Sequence, residues 1–190
     1  MSSSRNNDLI FQIYSDNRTV FTLSDIAMLI GETNYNALNQ RLFYYVKTKK
    51  LYRPRKGIYT KVNFNPLELA CRLYTPSYIS LDYVLQKSGI IFQYSTFITS
   101  VAYLSRTLDI DNRTYSFRKI KNDIMINTKG IRQIDHVNMA TPERALLDTI
   151  YLNGDTYFDN ISSIDKELIQ ELLPIYHSKV MEKRIKKIIE

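Results

Sequence analysis

The stretch Phe21-Thr-Leu-Ser-Asp-Ile-Ala-Met-Leu-Ile-Gly-Glu-Thr-Asn-Tyr-Asn-Ala-Leu-Asn-Gln-Arg41 decides how the first third of the chain folds. Thr22 and Asp25 have the spacing of a capping box, with Asp where Glu or Gln is usual. Ile26, Leu29 and Ile30 give the helix behind them an apolar face. Gly31 is placed to stop it as a left-handed cap. Glu32-Thr33-Asn34 then forms a three-residue turn. A second helix follows from about Tyr35 to Lys49, with Leu38, Leu42 and Val46 spaced by four.

The flanks extend the pattern. Upstream, Leu9, Ile10, Ile13 and Tyr14 predict a short amphipathic helix over Asn7 to Ser15. Asp16-Asn17-Arg18 is turn chemistry, and Val20 and Phe21 give a brief extended piece. Downstream, Leu51-Tyr-Arg53 and Gly57-Ile-Tyr-Thr60 read as two short strands joined by the basic tip Arg53-Pro-Arg-Lys-Gly57. Helix, short strand, helix, tight turn, helix and hairpin are the parts of a winged helix-turn-helix, expected over residues 1–62.

Charge is concentrated in the same region. Residues 1–65 hold ten Lys and Arg against four acids, whereas the remainder holds sixteen against fifteen. From Arg41 to Lys61 there are eight cations and no anion. Such a segment repels itself, so an acidic partner, most commonly nucleic acid, is a natural explanation; a solvated basic face is the alternative. The start of the third helix points into the major groove in this fold. The expected DNA-contact residues there are Asn34, Tyr35, Asn36, Asn39 and Gln40, and their Asn and Gln amides suit adenine edges. Arg41, Lys47 and the wing residues Arg53, Arg55 and Lys56 suit phosphates, or, for a wing arginine, a narrow minor groove. Asn34 also reads as a plain helix cap, Tyr44 and Tyr45 as packing under the wing, and Lys47, Lys49 and Lys50 as complements to a helix C-terminus.

Asn63-Phe-Asn-Pro66 reads as a linker, followed by a charge-balanced mixed α/β domain over residues 66–190, so the fold class is α+β. Helices are expected over Pro66 to Leu73, Ile79 to Lys87, Thr141 to Leu152, Ile164 to Leu173 and His177 to Ile189. Strands are expected over Phe97 to Tyr103, Arg113 to Lys119, Asp123 to Asn127 and Ile131 to Asn138. Thr141-Pro-Glu is a strong helix start. The last helix sets Met181, Ile185, Ile188 and Ile189 against Lys183, Arg184, Lys186 and Lys187; docking of the apolar side is the plainer reading, a second DNA contact the other.

Composition excludes several classes. The 190 residues include 15 Tyr and 8 Phe but only 5 Gly and 5 Pro, which excludes a wholly disordered or collagen-like chain. Cys71 is the single cysteine, so no intrachain disulfide framework exists. No apolar run reaches membrane-spanning length, and the polar start Met1 to Asn7 has no secretory h-region; no membrane partner and a cytoplasmic location are expected. No catalytic constellation, metal site or cofactor site is expected. His136 and His177 have no ligand spacing to Cys71, and there is no Gly-rich phosphate loop. Asp109-Ile-Asp111 has the form of a metal-binding pair, but Asp111-Asn112-Arg113 reads better as a hairpin turn.

Four pieces, in order, resemble the AbiEi antitoxin family: Phe21-Thr-Leu-Ser-Asp-Ile-Ala27, Arg55-Lys-Gly-Ile-Tyr59, Tyr115-Ser-Phe-Arg-Lys-Ile-Lys121 and Ala140-Thr-Pro-Glu-Arg-Ala-Leu-Leu-Asp148. The resemblance spans roughly residues 5–152. It implies a non-enzymatic antitoxin of an abortive-infection, type IV toxin–antitoxin pair. In that family the winged helix binds inverted repeats in the promoter and represses the operon. The C-terminal antitoxin domain counters a nucleotidyltransferase-like toxin without requiring a stable complex. Carried onto this chain, the DNA residues are those from Asn34 to Arg41 and from Arg53 to Lys56. The alternatives are a stand-alone DNA-binding regulator, a DNA-targeted nuclease or nucleotidyl transferase, and a protein-interaction adaptor.

Overall fold

The computed structural model describes residues 2–189, with side chains described for residues 9–188. The Met1 to Asn7 side chains, read above as carrying no leader, and that of Ile189 lie outside this range. The chain has an α+β fold with two sheets and divides into two compact units, Met1–Leu73 and Tyr74–Glu190.

The first unit runs α1 (Ser2–Ser15), β1 (Val20–Thr22), α2 (Leu23–Ile30), α3 (Tyr35–Lys47), β2 (Tyr52–Arg55), β3 (Ile58–Thr60) and α4 (Pro66–Leu73). Its antiparallel sheet has the order β1-β3-β2. The local signals act as the sequence predicts. Thr22 Oγ1 accepts from the Asp25 N–H at 3.1 Å, and Asp25 Oδ2 accepts from the Thr22 N–H at 2.7 Å. Gly31 closes α2 at φ +65°, a conformation that an L side chain strains to adopt. Leu9, Ile13, Phe21, Ile26, Leu38, Leu42, Tyr45 and Leu51 form the core. Tyr45 is buried but Tyr44 is 53% exposed, so only one of the pair packs as expected. Neighbouring helical residues point about 100° apart, and on α3 that turn sets Tyr44 outside the core that Tyr45 enters.

The domain boundary falls later than the expected break between residues 62 and 66. Helix α4 belongs to the first unit, and Glu68 explains why. This buried carboxylate accepts from the Thr19 N–H at 2.9 Å, the Val20 N–H at 3.2 Å and the Thr19 hydroxyl. A buried carboxylate without such donors is strongly disfavoured, so α4 stays with the strand that supplies them.

The second unit comprises β4 (Ser77–Ile79), α5 (Asp82–Lys87), β5 (Ile98–Ala102), β6 (Arg106–Ile110), β7 (Arg113–Lys119), α6 (Asn122–Met125), β8 (Ile131–Ile134), β9 (Val137–Ala140), α7 (Pro142–Asn153), α8 (Lys166–Leu172), a 3₁₀ turn (Leu173–Tyr176) and α9 (Lys179–Ile189). The sheet order is β6-β7-β5-β4-β9-β8, with β5–β7 and β4–β9 parallel. Several expectations are corrected. Ile79 is a strand residue paired with Ser100 and Met139, not a helix start. Residues 122–125 are helical rather than extended, with Ile124 and Met125 buried together. Ile131 to Asn138 is not one strand. It folds at Asp135 and His136, both at positive φ, into the β8–β9 hairpin. Strand β6 was not anticipated, and α9 begins only after His177, which is left-handed at φ +46°. Met181 and Ile185 are buried and Arg184 pairs with Asp155 at 2.8 Å, so the apolar side of α9 is docked.

A buried polar network holds this unit. Arg144 and Asp148 are both 0% exposed, one turn apart on α7, with Nε 3.4 Å from Oδ1. Asp148 accepts from the hydroxyls of Ser80 (2.8 Å), Tyr78 (3.0 Å) and Tyr176 (2.7 Å). Arg144 donates to the carbonyls of Ile124 (2.6 Å) and Lys129 (2.9 Å), and its guanidinium carbon lies 5.5 Å from the centroids of both Tyr78 and Tyr176. Burial pushes the Asp148 carboxyl above its usual range, against the pull of Arg144 and the three hydroxyls. Burial likewise raises the Tyr78 and Tyr176 phenols well above theirs.

Two stability measurements follow from these contacts. Asp148→Ala strands a buried guanidinium, so unfolding in urea is expected to show a loss of about 3–5 kcal/mol, and Arg144→Met with Asp148→Leu a smaller one. Asp16 is bonded by Arg18 through Nε at 3.0 Å and Nη2 at 2.7 Å, and that bonding lowers its pKa from 3.8 to about 2. A lowered folded-state value adds stability that is complete above the unfolded value and is lost as pH falls through the folded one. Urea midpoints are therefore expected to fall more steeply between pH 4 and pH 2 in the native chain than in Asp16→Asn.

Candidate nucleic-acid interface

Helix α3 buries Leu38, Leu42 and Tyr45, which sends the opposite face to solvent. At about 100° per residue, Asn36, Gln40, Phe43 and Lys47 share one line along that face, with Asn39 and Tyr44 beside it. All six are exposed, Phe43 by 64%. Tyr35 is exposed at the first turn. The sequence reading missed Phe43, although its spacing from Asn36 is the same helical periodicity that located the core.

Three of the expected contact residues also have partners within the unit. Asn34 Oδ1 accepts from the N–H groups of Asn36 and Ala37, each at 3.1 Å, so its acceptor caps α3. Arg41 lies off the exposed line, half-buried, with Nη1 3.9 Å from Glu32 Oε2. Arg55 donates from Nη1 to the Leu73 carbonyl at 3.1 Å, tying the hairpin to the C-terminal end of α4. That end carries partial negative charge, which suits a guanidinium.

The hairpin β2–β3 turns at Gly57, where φ is +83°. Arg53 and Lys56 are exposed on it, and Arg53 lies 5.6 Å over the Tyr59 ring. Tyr59 also donates its hydroxyl to Asn39 Oδ1 at 3.4 Å. One buried aromatic thus links the hairpin to α3 and sets Asn39 and Arg53 on either side of itself. Lys61, the last cation of the basic segment, donates to the carbonyls of Tyr14 and Asp16 and so closes the sheet onto α1. The surface assembled from Asn36, Asn39, Gln40, Phe43, Lys47, Arg53 and Lys56 offers amide donors and acceptors, one large apolar group and cations, with no carboxylate among them.

The second unit offers less. Asp109 accepts from the Thr114 hydroxyl at 2.7 Å and Asp111 pairs with Arg113 at 3.2 Å. Asp111 and Asn112 are left-handed, at φ +51° and +56°, and make the turn of the β6–β7 hairpin. Among the described residues no group of three or more His, Cys, Asp or Glu is placed to hold a metal. A cleft of about 490 Å³ opens where β4 and β9, paired only at Ile79 and Met139, part; its walls include Tyr78, Met125, Ile131, Gln133 and Asn138.

No family model matches the chain, and no curated protein matches it.

The division between cap and surface residues is measurable. Asn34→Ala is expected to lower stability by about 1 kcal/mol through loss of the cap. Asn36→Ala, which removes an exposed side chain, is expected to leave the urea midpoint within about 0.5 kcal/mol of the native value.

Proposed function

We propose that this chain is a DNA-binding transcriptional repressor whose first unit is a winged helix-turn-helix. We further propose that it is the antitoxin of a toxin–antitoxin pair, acting in the cytoplasm without enzymatic activity of its own. The observation that carries the first part is the run of eight cations and no anion from Arg41 to Lys61, of which Lys47, Arg53 and Lys56 are exposed on α3 and the hairpin beside the amides of Asn36, Asn39 and Gln40. In this reading α3 enters the major groove, and the hairpin reaches the flanking backbone through Arg53 and Lys56. The fixed packing of Tyr59 against both elements supports their acting as one surface. Among the described residues no helix is long and apolar enough to cross a membrane.

The antitoxin role rests on the four motifs that resemble the AbiEi family. Two of them carry folding roles here. Phe21 to Ala27 includes the capping box of α2, and Ala140 to Asp148 includes the buried ion pair of α7. The partner proposed for the second unit is a nucleotidyltransferase-like toxin, opposed without a stable complex.

Fluorescence anisotropy tests the DNA reading, using a duplex from the protein's own promoter and a scrambled duplex across a salt series. With about five phosphate contacts, the log–log salt slope is expected near −4.5. Arg53→Ala with Lys56→Ala is expected to flatten it by about two. Equal binding to both duplexes, or none, would sink the repressor reading. Growth rescue of cells expressing a nucleotidyltransferase-like toxin tests the antitoxin role separately.

A further inference from the structure

We infer that α3 reads an A·T-rich site, with Asn36 and Gln40 bonding adenine edges and Phe43 packing on a thymine methyl group. This rests on the DNA-binding reading above and adds the class of sequence recognised. Guanine is read most often by an Arg or Lys fork to O6 and N7. The exposed line of α3 carries no guanidinium: its one arginine, Arg41, is half-buried and turned toward Glu32. Its one cation, Lys47, closes the helix, about 16 Å along the axis from Asn36. The end of a recognition helix that meets base edges is its N-terminal part, so Lys47 falls on backbone.

What remains at that end is two amides one turn apart, followed by a phenylalanine. An amide matches adenine by donating to N7 and accepting from N6, a pairing that guanine cannot reproduce. Phe43 is 64% exposed, on the face of α3 opposite the buried Leu38, Leu42 and Tyr45, so it takes no part in the core. The apolar group that the major groove offers is the thymine C5-methyl. The hairpin points the same way, because Arg53 is held over Tyr59 and exposed, and A·T tracts narrow the minor groove into a preferred arginine site.

The test begins with selection by the full chain from a duplex library with a randomised central window. Recovered sites rich in A·T at the core positions are the expected result. Recovery of G·C-rich sites overturns the inference and leaves the DNA-binding reading standing. Retention without enrichment overturns the inference and the specific-repressor reading but not DNA binding, and no retention overturns DNA binding itself. On the recovered site, replacing thymine by uracil removes only the methyl group and is expected to weaken native binding about fourfold. Replacing adenine by 7-deazaadenine is expected to weaken it at least about fivefold. Phe43→Ala is expected to be indifferent to the first replacement, and Asn36→Ala with Gln40→Ala to the second. Variants that respond as the native chain does overturn the assignment of those residues. All three side chains are exposed, and unchanged urea midpoints establish that the variants fold.

Discussion

Arg144 and Asp148 are charges with no access to water, and each is tolerable only while all of its partners are in place. Ser80 and Tyr78 come from β4 and the turn after it, Tyr176 from the 3₁₀ turn, and the Ile124 and Lys129 carbonyls from α6 and the loop leading to β8. Three stretches of chain, residues 78–80, 124–129 and 173–176, therefore converge on one turn of α7. Desolvation offsets most of the attraction in such a pair, so its net contribution to stability is small, while any arrangement that removes a partner is heavily penalised. Gly130 shows how tight the convergence is. A Cβ there would lie 2.9 Å from Leu172 Cδ1 and 3.0 Å from Arg144 Cβ, and its φ of +71° disfavours side chains in any case.

The first unit is organised on a smaller scale by the same principle. Glu68 is a buried acceptor facing backbone donors, and it fixes where the unit ends. The cations of the basic segment divide by task. Arg55, Lys61 and Arg41 reach carbonyls or Glu32, while Lys47, Lys49, Lys50, Arg53 and Lys56 are exposed. Composition shows how many cations a segment has. Only the fold shows which of them remain available to a partner.

Features that depend on a few adjacent residues were legible in the sequence. The Thr22–Asp25 capping box, the Gly31 stop, Pro66 and Pro142 at helix starts, and the Asp111-Asn112 turn all follow from backbone chemistry within four residues. What depended on distant partners was not. Strand β6, Arg-Thr-Leu-Asp-Ile, has too few apolar residues to announce itself and exists because β7 pairs with it. Residues 122–125 are apolar enough for either state; as a helix they bury Ile124 and Met125 and offer the Ile124 carbonyl to Arg144. The ion pair of α7 was hidden because charged residues at helical spacing usually face water. The exposure of Asn36, Gln40 and Lys47 on one line of α3 follows from helical spacing, whereas the partners of Arg41 and Arg55 come from Glu32 and Leu73, which only the folded chain brings to them.

The sheet of the second unit begins and ends on the outer strand of a hairpin, β6 on one side and β8 on the other. Both are short, and both carry exposed polar side chains: Arg106, Thr107 and Asp109 on one, Arg132 and Gln133 on the other. An open row of peptide groups invites another chain to add itself and, repeated, to build a fibril. Short, charged rims close off that route. The same rims leave the sheet complete at six strands, so a high concentration of the chain offers no template for edge-to-edge growth.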